Sequence, residues 1–202
     1  MRTGGYLTVP ELPALSHKSL LREAIQQAAQ AQTTNETQAD LTDWRGGSPE
    51  RRFMSAQGGP IQDQFYRAPT TRQWLRRLTG LSLAPTGERG TFTYYRPGDY
   101  LGLHRDVVGC DVTLITCLAD TGSLNGTSGA LQLYLSRWAE PLSALRQSPR
   151  RGCRPLPLSP EQSVIFMGGL TPHRLAPLSN GQLRIVSLLC FSLVRGPDTE
   201  TN

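Results

Sequence analysis

The second half of the chain is a succession of short apolar segments separated by turn residues, and this pattern constrains the fold most. From residue 91 onward the segments are TFTYY, YLGLHRD, DVTLITCL, ALQLYL, SVIFM, HRLAPL and LRIVSLLCFSLV. The turn signals between them are Pro97-Gly98, a loop over 121–129, Ser159-Pro160, Gly168-Gly169 and Asn180-Gly181. Many short strands with such punctuation are typical of a β-sandwich or a jelly roll. The sequence therefore predicts a mainly β protein with flanking helices.

The first 90 residues have a different sequence pattern. The stretch Ser19–Gln32 places leucine and alanine at helical intervals and predicts a helix. Residues 33–69 are polar and rich in Gly, Pro, Gln and Arg, yet they carry four aromatic residues. A stretch of that length without clear periodicity is either disordered or a lid over an active site, and the aromatic residues favour the lid. A second helix is expected over residues 72–80, ending at Gly80 and packing on the outer face of the sheet.

These patterns predict a single domain with two regions. Residues 1–90 form an N-terminal helical and loop region that packs on the core and includes the lid. Residues 91–196 form the jelly-roll core. Residues 136–158, SRWAEPLSALRQSPRRGCRPLPL, interrupt the strand pattern and are expected to be an insertion with one short helix.

Composition favours a globular protein without nucleic-acid or membrane partners. The hydrophobic fraction is 38%, the charged fraction is 18% and the formal net charge is +5. The excess of arginine is spread along the chain, which indicates a solvated surface rather than a nucleic-acid site. No apolar run approaches the roughly 18 residues of a membrane span. The start MRTGGYLTVPELP lacks the apolar core of a signal peptide, so a cytoplasmic location is expected.

Four cysteines, at positions 110, 117, 153 and 190, form no CxxC pair, which argues against a zinc knuckle. Three of them lie in or near apolar, strand-like segments, and we expect these to be reduced and buried, because disulfides are rare in a reducing cytoplasm.

The pair His104-x-Asp106 is the first candidate site. In a β-strand, residues i and i+2 share a face, so the imidazole and the carboxylate would point the same way. A hydrogen-bonded surface pair is the simple alternative. The other reading is a 2-His-1-carboxylate triad, which binds non-haem Fe(II) and leaves coordination positions open. The remaining histidines are His17, in a polar context that suggests a surface residue, and His173.

His173 opens HRLAPLSNGQLR, and Arg184 follows eleven residues later at the start of the last apolar strand. Strand alternation would put Arg184 on one face with Val186 and Leu188. Burying an unpaired arginine there is costly, whereas a carboxylate would match the guanidinium. Taken separately, a turn histidine and a strand-end surface arginine are the simple alternatives.

Four stretches together resemble Fe(II)/2-oxoglutarate-dependent dioxygenases of the prolyl 4-hydroxylase-like branch. They are YRPGDYLGLHRD, DVTLITCLAD, SGALQLY and HRLAPLSNGQLRIVSLLCF, within residues 91 to 194. The resemblance implies a double-stranded β-helix, which is a jelly-roll core. It also implies Fe(II) as cofactor, with 2-oxoglutarate and O2 as co-substrates.

Carried over by position, the resemblance makes His104, Asp106 and His173 the catalytic iron ligands. It makes Arg184 the anchor of the distal 2-oxoglutarate carboxylate. Tyr95 would bind the co-substrate through its hydroxyl, with Tyr94 as its local rival, and Thr113 would line the same pocket. Cys117 stands where relatives often have an aromatic residue, and Ser128-Gly129 replaces their usual double glycine.

The implied function is hydroxylation of a C–H bond of a small molecule, an amino acid or a natural-product intermediate, with release of succinate and CO2. Hydroxylation of a protein or peptide side chain is one alternative, and a non-catalytic jelly-roll binding module is another. The carboxylate of Asp106 favours hydroxylation over halogenation, because related halogenases carry a small residue there. Cys190 stands where related nucleic-acid demethylases carry a second arginine, so repair of alkylated DNA or RNA is not expected.

Overall fold

The computed structural model describes residues 5–13, 15–39, 42–122 and 127–194. Within these residues twelve strands pair into one antiparallel sheet. The strands are β1 Tyr6–Val9, β2 Gln32–Glu36, β3 Arg51–Gln57, β4 Leu83–Pro85, β5 Thr91–Tyr95, β6 Tyr100–His104, β7 Val112–Asp120, β8 Leu131–Leu133, β9 Arg154–Leu156, β10 Ser163–Phe166, β11 His173–Leu175 and β12 Arg184–Leu193. The helices are α1 His17–Gln27, α2 Pro60–Arg67, α3 Pro69–Thr79 and α4 Leu142–Gln147, with 3-10 turns at Ala28–Gln30 and Leu135–Arg137.

The sheet curls so that two groups of strands face each other. The pairing order is β1-β10-β7-β12-β5-β3-β6-β11-β8-β9, while β2 pairs with β3 and β4 with β12. Side chains of β5, β7 and β12 line one cavity together with side chains of β6, β8 and β11. The chain is therefore a mainly β protein with a jelly-roll core and few helices.

Three helices cover the outer face of the larger strand group. Leu20 and Ala24 of α1 pack with Phe92 and Tyr94 of β5. Phe65, Tyr66 and Leu75 of α2 and α3 are buried in a cluster with residues of β7 and β12. Because β-strand side chains alternate, this packing sends the other face of β5, β7 and β12 toward the cavity.

The N-terminal region differs from the sequence prediction in several places. The first helix begins at His17 rather than Ser19, and its regular part ends at Gln27. The predicted lid over 33–69 contains two strands and a helix, and β3 lies between β5 and β6 in the sheet. Most side chains of RRFMSAQ are half-buried or exposed, and the segment is largely polar. Because it has no clear apolar pattern, the sequence did not indicate this strand. Of the predicted lid, residues 37–39 and 42–50 form no helix or strand, and residues 40 and 41 lie outside the described part of the chain.

The second helix and the insertion agree with expectation in their main features. Helix α3 starts at Pro69, three residues before the predicted start, and ends at Gly80, whose φ of 74° is left-handed. Glycine adopts that conformation without a steric cost. The insertion contains the short helix α4 and the strand β9.

The organisation into regions stays a proposal. Strands β1 and β3, from the first 90 residues, are hydrogen-bonded into the same sheet as the later strands. That pairing supports our proposal of one domain in which the N-terminal region is part of the core sheet.

The prediction that the cysteines in or near strand-like segments are reduced is wrong for two of them. Cys110 and Cys190 form a disulfide across 80 residues of sequence, while Cys117 and Cys153 are free. Cys190 lies on β12, and Cys110 lies in the turn before β7, the neighbouring strand. The sequence gives no direct sign of this pair, because the two cysteines meet through strand pairing rather than through local spacing.

Among the described residues, no helix combines the length and the apolar character needed to cross a bilayer.

Candidate metal centre

Two neighbouring strands and one turn bring the predicted ligands together. His104 ends β6, His173 begins β11, and the two residues stand directly opposite each other in the antiparallel register. Asp106 lies two residues beyond the end of β6, so the shared-strand argument for the pair is wrong in detail. Its backbone N–H instead donates to the Gly168 carbonyl at 3.0 Å, which fixes the turn beside both histidines.

The three side chains converge on one point. The Nε2 atoms of His104 and His173 each lie 3.5 Å from Oδ1 of Asp106. One ligand atom from each residue lies within 4.8 Å of the others. The described residues include no other cluster of this kind. His17 lies elsewhere, with its ring near the Cys117 carbonyl and the Glu161 carboxylate.

Backbone carbonyls fix the orientation of both imidazoles. Nδ1 of His104 lies 2.9 Å from the Gly102 carbonyl, and Nδ1 of His173 lies 2.9 Å from the Thr171 carbonyl. A carbonyl can only accept, so each Nδ1 carries the hydrogen. Each Nε2 then presents a lone pair to the shared point, which is the arrangement of a metal-ligating histidine.

Electrostatics favours the protonation states that a metal requires. Burial raises the pKa of Asp106, but His173 and His104 outweigh burial and hold that pKa well below its usual range. Burial and the neighbouring His173 lower the pKa of His104, against the opposing effect of Asp106. The result is an ionised carboxylate beside a neutral imidazole, and metal ligands must be in these forms.

Thr113 and Gly168 hold the Asp106 carboxylate. The Thr113 hydroxyl donates to Oδ2 of Asp106 in a short hydrogen bond. A Cβ at Gly168 would lie 1.9 Å from that oxygen and 2.2 Å from the Thr113 hydroxyl, so only glycine fits there. The sulfur of Cys110 lies 3.6 Å from the same carboxylate oxygen. Thr113 therefore contacts a ligand residue as well as lining the cavity.

The donor set fits a divalent iron. Two imidazole nitrogens and one carboxylate oxygen approach from one side, and the rest of the cavity is left for other ligands. This is the donor chemistry of the facial triad of non-haem iron oxygenases.

The cavity around the three residues is mostly apolar. Its apolar wall consists of Leu101, Ile115, Leu131, Leu158, Leu175, Val186 and Leu188. Tyr95 and Arg184 also line it, and they are direct cross-strand neighbours on β5 and β12. Burial raises the pKa of Tyr95 well above its usual range, against the nearby Arg184, so its hydroxyl remains a donor. Tyr94 points to the outer face, where its hydroxyl donates to the Ala24 carbonyl at 2.5 Å.

Arg184 is buried in this cavity but, unlike the sequence expectation, it already has an anionic partner. Its Nη1 donates to Asp120 at 3.2 Å and to the Gly129 carbonyl at 2.6 Å, and Nη2 lies 3.3 Å from the Leu158 carbonyl. Nε is buried and has no hydrogen-bond partner among the described residues. The arginine therefore keeps one unused donor in the cavity.

Two arginines that were not predicted as site residues hold the loop after β2 against the ligand turn. Arg105, buried between two ligand residues, donates to the carbonyls of Asp43, Trp138, Glu140 and Leu170 at 2.7 to 3.0 Å. Arg45 in turn donates to the carbonyls of Asp106, Val107 and Cys110 and to the Asp111 carboxylate. Strand alternation alone would turn Arg105 away from its two neighbours, His104 and Asp106, but nothing in the sequence indicates its four acceptors. Nothing indicated Arg45 either.

A larger cleft, of about 430 Å³, lies next to this cavity and shares Leu101, Arg174 and Leu175 with it. None of the three ligands lines the larger cleft. Within β11, His173 and Leu175 are buried, whereas the Arg174 side chain is half-buried and donates to Gln132. The cleft therefore adjoins the metal cavity, and the three candidate ligands line only the smaller of the two.

Comparison with known proteins identifies the fold. No family model matches the sequence, and no curated protein matches it. Solved structures do match. A prolyl-4-hydroxylase from Pseudomonas putida is 19% identical, with a TM-score of 0.62 over 96% of this chain and 95% of that one. The chain has the fold of 2OG-Fe(II) oxygenases.

Two further solved structures with this fold are of proteins that bind or depend on 2-oxoglutarate. HygX from Streptomyces hygroscopicus, solved with nickel and 2-oxoglutarate bound, is 12% identical with a TM-score of 0.64, over 98% of this chain and 89% of that one. The non-heme alpha ketoglutarate dependent epimerase SnoN from nogalamycin biosynthesis is 15% identical with a TM-score of 0.67, over 95% and 77%. The fold thus carries several 2-oxoglutarate-dependent reactions.

Proposed function

We propose that the protein is a non-haem Fe(II)- and 2-oxoglutarate-dependent oxygenase that hydroxylates a C–H bond of a small molecule. The observation that carries the proposal is the convergence of two imidazole Nε2 atoms on the Asp106 carboxylate, each 3.5 Å from the same oxygen. Both rings have the hydrogen on Nδ1, so both Nε2 lone pairs are free for a metal. An ordinary hydrogen-bonded surface pair would not include a second histidine from a strand that is distant in sequence but paired in the sheet.

The residues of the cavity would have different roles in binding the metal and the co-substrate and in excluding water. His104, Asp106 and His173 would hold Fe(II), which supplies oxygen activation coupled to conversion of 2-oxoglutarate to succinate and CO2. Arg184 would bind the distal carboxylate of 2-oxoglutarate, and its unused Nε–H supports that role. The Tyr95 hydroxyl is a further donor on the neighbouring strand. The apolar wall excludes water, which protects the reacting atoms from side reactions.

A peptide substrate is the second candidate. The observation that favours it is the likeness to the prolyl-4-hydroxylase from Pseudomonas putida, which covers 95% of that chain. The likenesses to SnoN from nogalamycin biosynthesis and to HygX, which was also solved with hygromycin B bound, favour a natural-product substrate instead. A screen of 2-oxoglutarate turnover over amino acids, natural-product scaffolds and proline-containing peptides separates the two candidates.

The test of the proposed activity is succinate release from 2-oxoglutarate with added Fe(II) and O2. We expect turnover in the wild type and its loss in His104→Ala and Asp106→Ala. His17→Ala is the matched control, because it removes a histidine that lies outside the cluster. Succinate release that persists in both ligand variants, or a wild type that binds metal and 2-oxoglutarate without any turnover, would exclude the proposal.

A further inference from the structure

Arg184, the residue that would bind the distal carboxylate, shares a buried ion pair with Asp120. The side chains of Arg184 and Asp120 are only 3% and 6% exposed, and Nη1 lies 3.2 Å from Oδ2. Strand β12 runs between β5 and β7, and Arg184 stands opposite Tyr95 on one side and Asp120 on the other. Cross-strand partners share a face of the sheet, so all three side chains meet at the cavity end of these strands.

Other contacts hold the Asp120 carboxylate in place. Its Oδ1 accepts from the Gln182 amide at 3.0 Å and from the Gly122 backbone N–H at 2.8 Å. Gln182 is itself buried. The carboxylate therefore stays beside the guanidinium, and the pair carries no net charge.

This ion pair changes the hydrogen-bond donors and the charge that a dicarboxylate contacts in the cavity. The guanidinium uses Nη1 for Asp120 and the Gly129 carbonyl, and one N–H of Nη2 for the Leu158 carbonyl, which leaves the Nε–H and the second N–H of Nη2 for a ligand carboxylate. An incoming carboxylate gains hydrogen bonds from that edge but adds a second negative charge beside a buried one. Charges interact strongly where water is excluded, so Asp120 opposes the ligand that Arg184 attracts.

We propose that Asp120, through its ion pair with Arg184, weakens binding of the distal carboxylate and so sets the affinity for the co-substrate. This inference rests on the proposed function, and within it Asp120 is a positioning residue that does not touch the reacting atoms. A purely structural aspartate would have the opposite effect. If Asp120 only held Arg184 in position, removing the Asp120 carboxylate would let the Arg184 side chain move and would weaken co-substrate binding.

The test compares two 2-oxo acids of equal length. 2-Oxopentanoate has a methyl group where 2-oxoglutarate has its distal carboxylate, so the ratio of their dissociation constants isolates that carboxylate. Both are measured by calorimetry on the Fe(II)-loaded protein without oxygen. We expect the wild type to prefer 2-oxoglutarate by less than about thirtyfold, because Asp120 offsets part of a charge-assisted contact. A larger wild-type preference would overturn the inference without any variant.

Asp120→Asn keeps an oxygen acceptor and removes the charge. We expect it to bind 2-oxoglutarate at least about tenfold more tightly, with 2-oxopentanoate affected much less. Asp99→Asn is the matched control, since Asp99 is a buried carboxylate paired with Arg52 and does not line the cavity. Unchanged or weaker 2-oxoglutarate binding in Asp120→Asn would overturn the inference.

Failure of this inference is distinguishable from failure of the proposed function. If wild type binds 2-oxoglutarate and Asp120→Asn does not tighten it, Asp120 has no tuning role and the oxygenase proposal stands. If the metal-loaded wild type does not bind 2-oxoglutarate at all, both proposals fall.

Discussion

Arg105→Lys tests whether the loops around the metal site depend on one side chain. The guanidinium of Arg105 donates to four carbonyls, which belong to the loop at residue 43, the insertion at 138 and 140, and the turn at 170. A lysine ammonium keeps the charge but is a single point with three donors, so it cannot reach all four acceptors. We expect at least two of these part-buried carbonyls to lose their partner.

The magnitude follows from those lost contacts. A hydrogen bond to a charged group contributes roughly 1.5–3 kcal/mol, so losing two lowers the free energy of unfolding by about 3 kcal/mol or more. Arg174→Lys is the matched control. Arg174 follows His173 as Arg105 follows His104, but its side chain is half-buried and its Nε donates to the Gln132 side chain. We expect the control to lose less than about 1 kcal/mol.

Urea denaturation measures the global effect, and hydrogen exchange locates it. In Arg105→Lys, amides near residues 43, 138–140 and 170 should exchange faster, while amides of α3 should not change. The reasoning is refuted if Arg105→Lys is as stable as Arg174→Lys, or if exchange rises evenly across the chain.

Three other predictions concern single contacts. Cys110→Ser removes a disulfide that closes an 80-residue separation, so unfolding free energy without reductant should fall by up to roughly 4 kcal/mol, and equal denaturation curves would contradict this. Thr113→Val removes the hydrogen bond to Asp106 and should weaken metal binding by about tenfold or more in a calorimetric titration, whereas unchanged affinity would make that bond irrelevant. Glu23 accepts from two backbone N–H groups at the start of α2, so Glu23→Gln should cost about 1–2 kcal/mol against the exposed control Glu88→Gln, and equal melting would contradict it.

The sequence predicted that His104, Asp106 and His173 lie together, because few residues could form such a cluster, and their role as metal ligands stays a proposal. The chain has three histidines, and the HxD pair and one late histidine at a strand start left little choice. Strand alternation also predicted correctly that Arg184 lies on an inner face. The strands of the second half followed from their apolar character and from the turns between them.

The sequence could not indicate contacts that depend on pairing between strands that are far apart in the sequence. Asp120 meets Arg184 across 64 residues, and Cys110 meets Cys190 across 80. Strand β3 is polar and half-buried, so it was read as part of a lid, yet it fills the gap between β5 and β6. Arg45 and Arg105 donate to backbone carbonyls. Every residue has a backbone carbonyl, so the residue types could not indicate these contacts.

The most direct test of the central claim is anomalous diffraction from crystals grown without oxygen and soaked with Fe(II) and 2-oxoglutarate. The account predicts one strong iron peak between Nε2 of His104, Nε2 of His173 and the Asp106 carboxylate, with the distal carboxylate of 2-oxoglutarate at Arg184. An iron peak elsewhere, such as beside His17 and Glu161, or a co-substrate that does not reach Arg184, would contradict it.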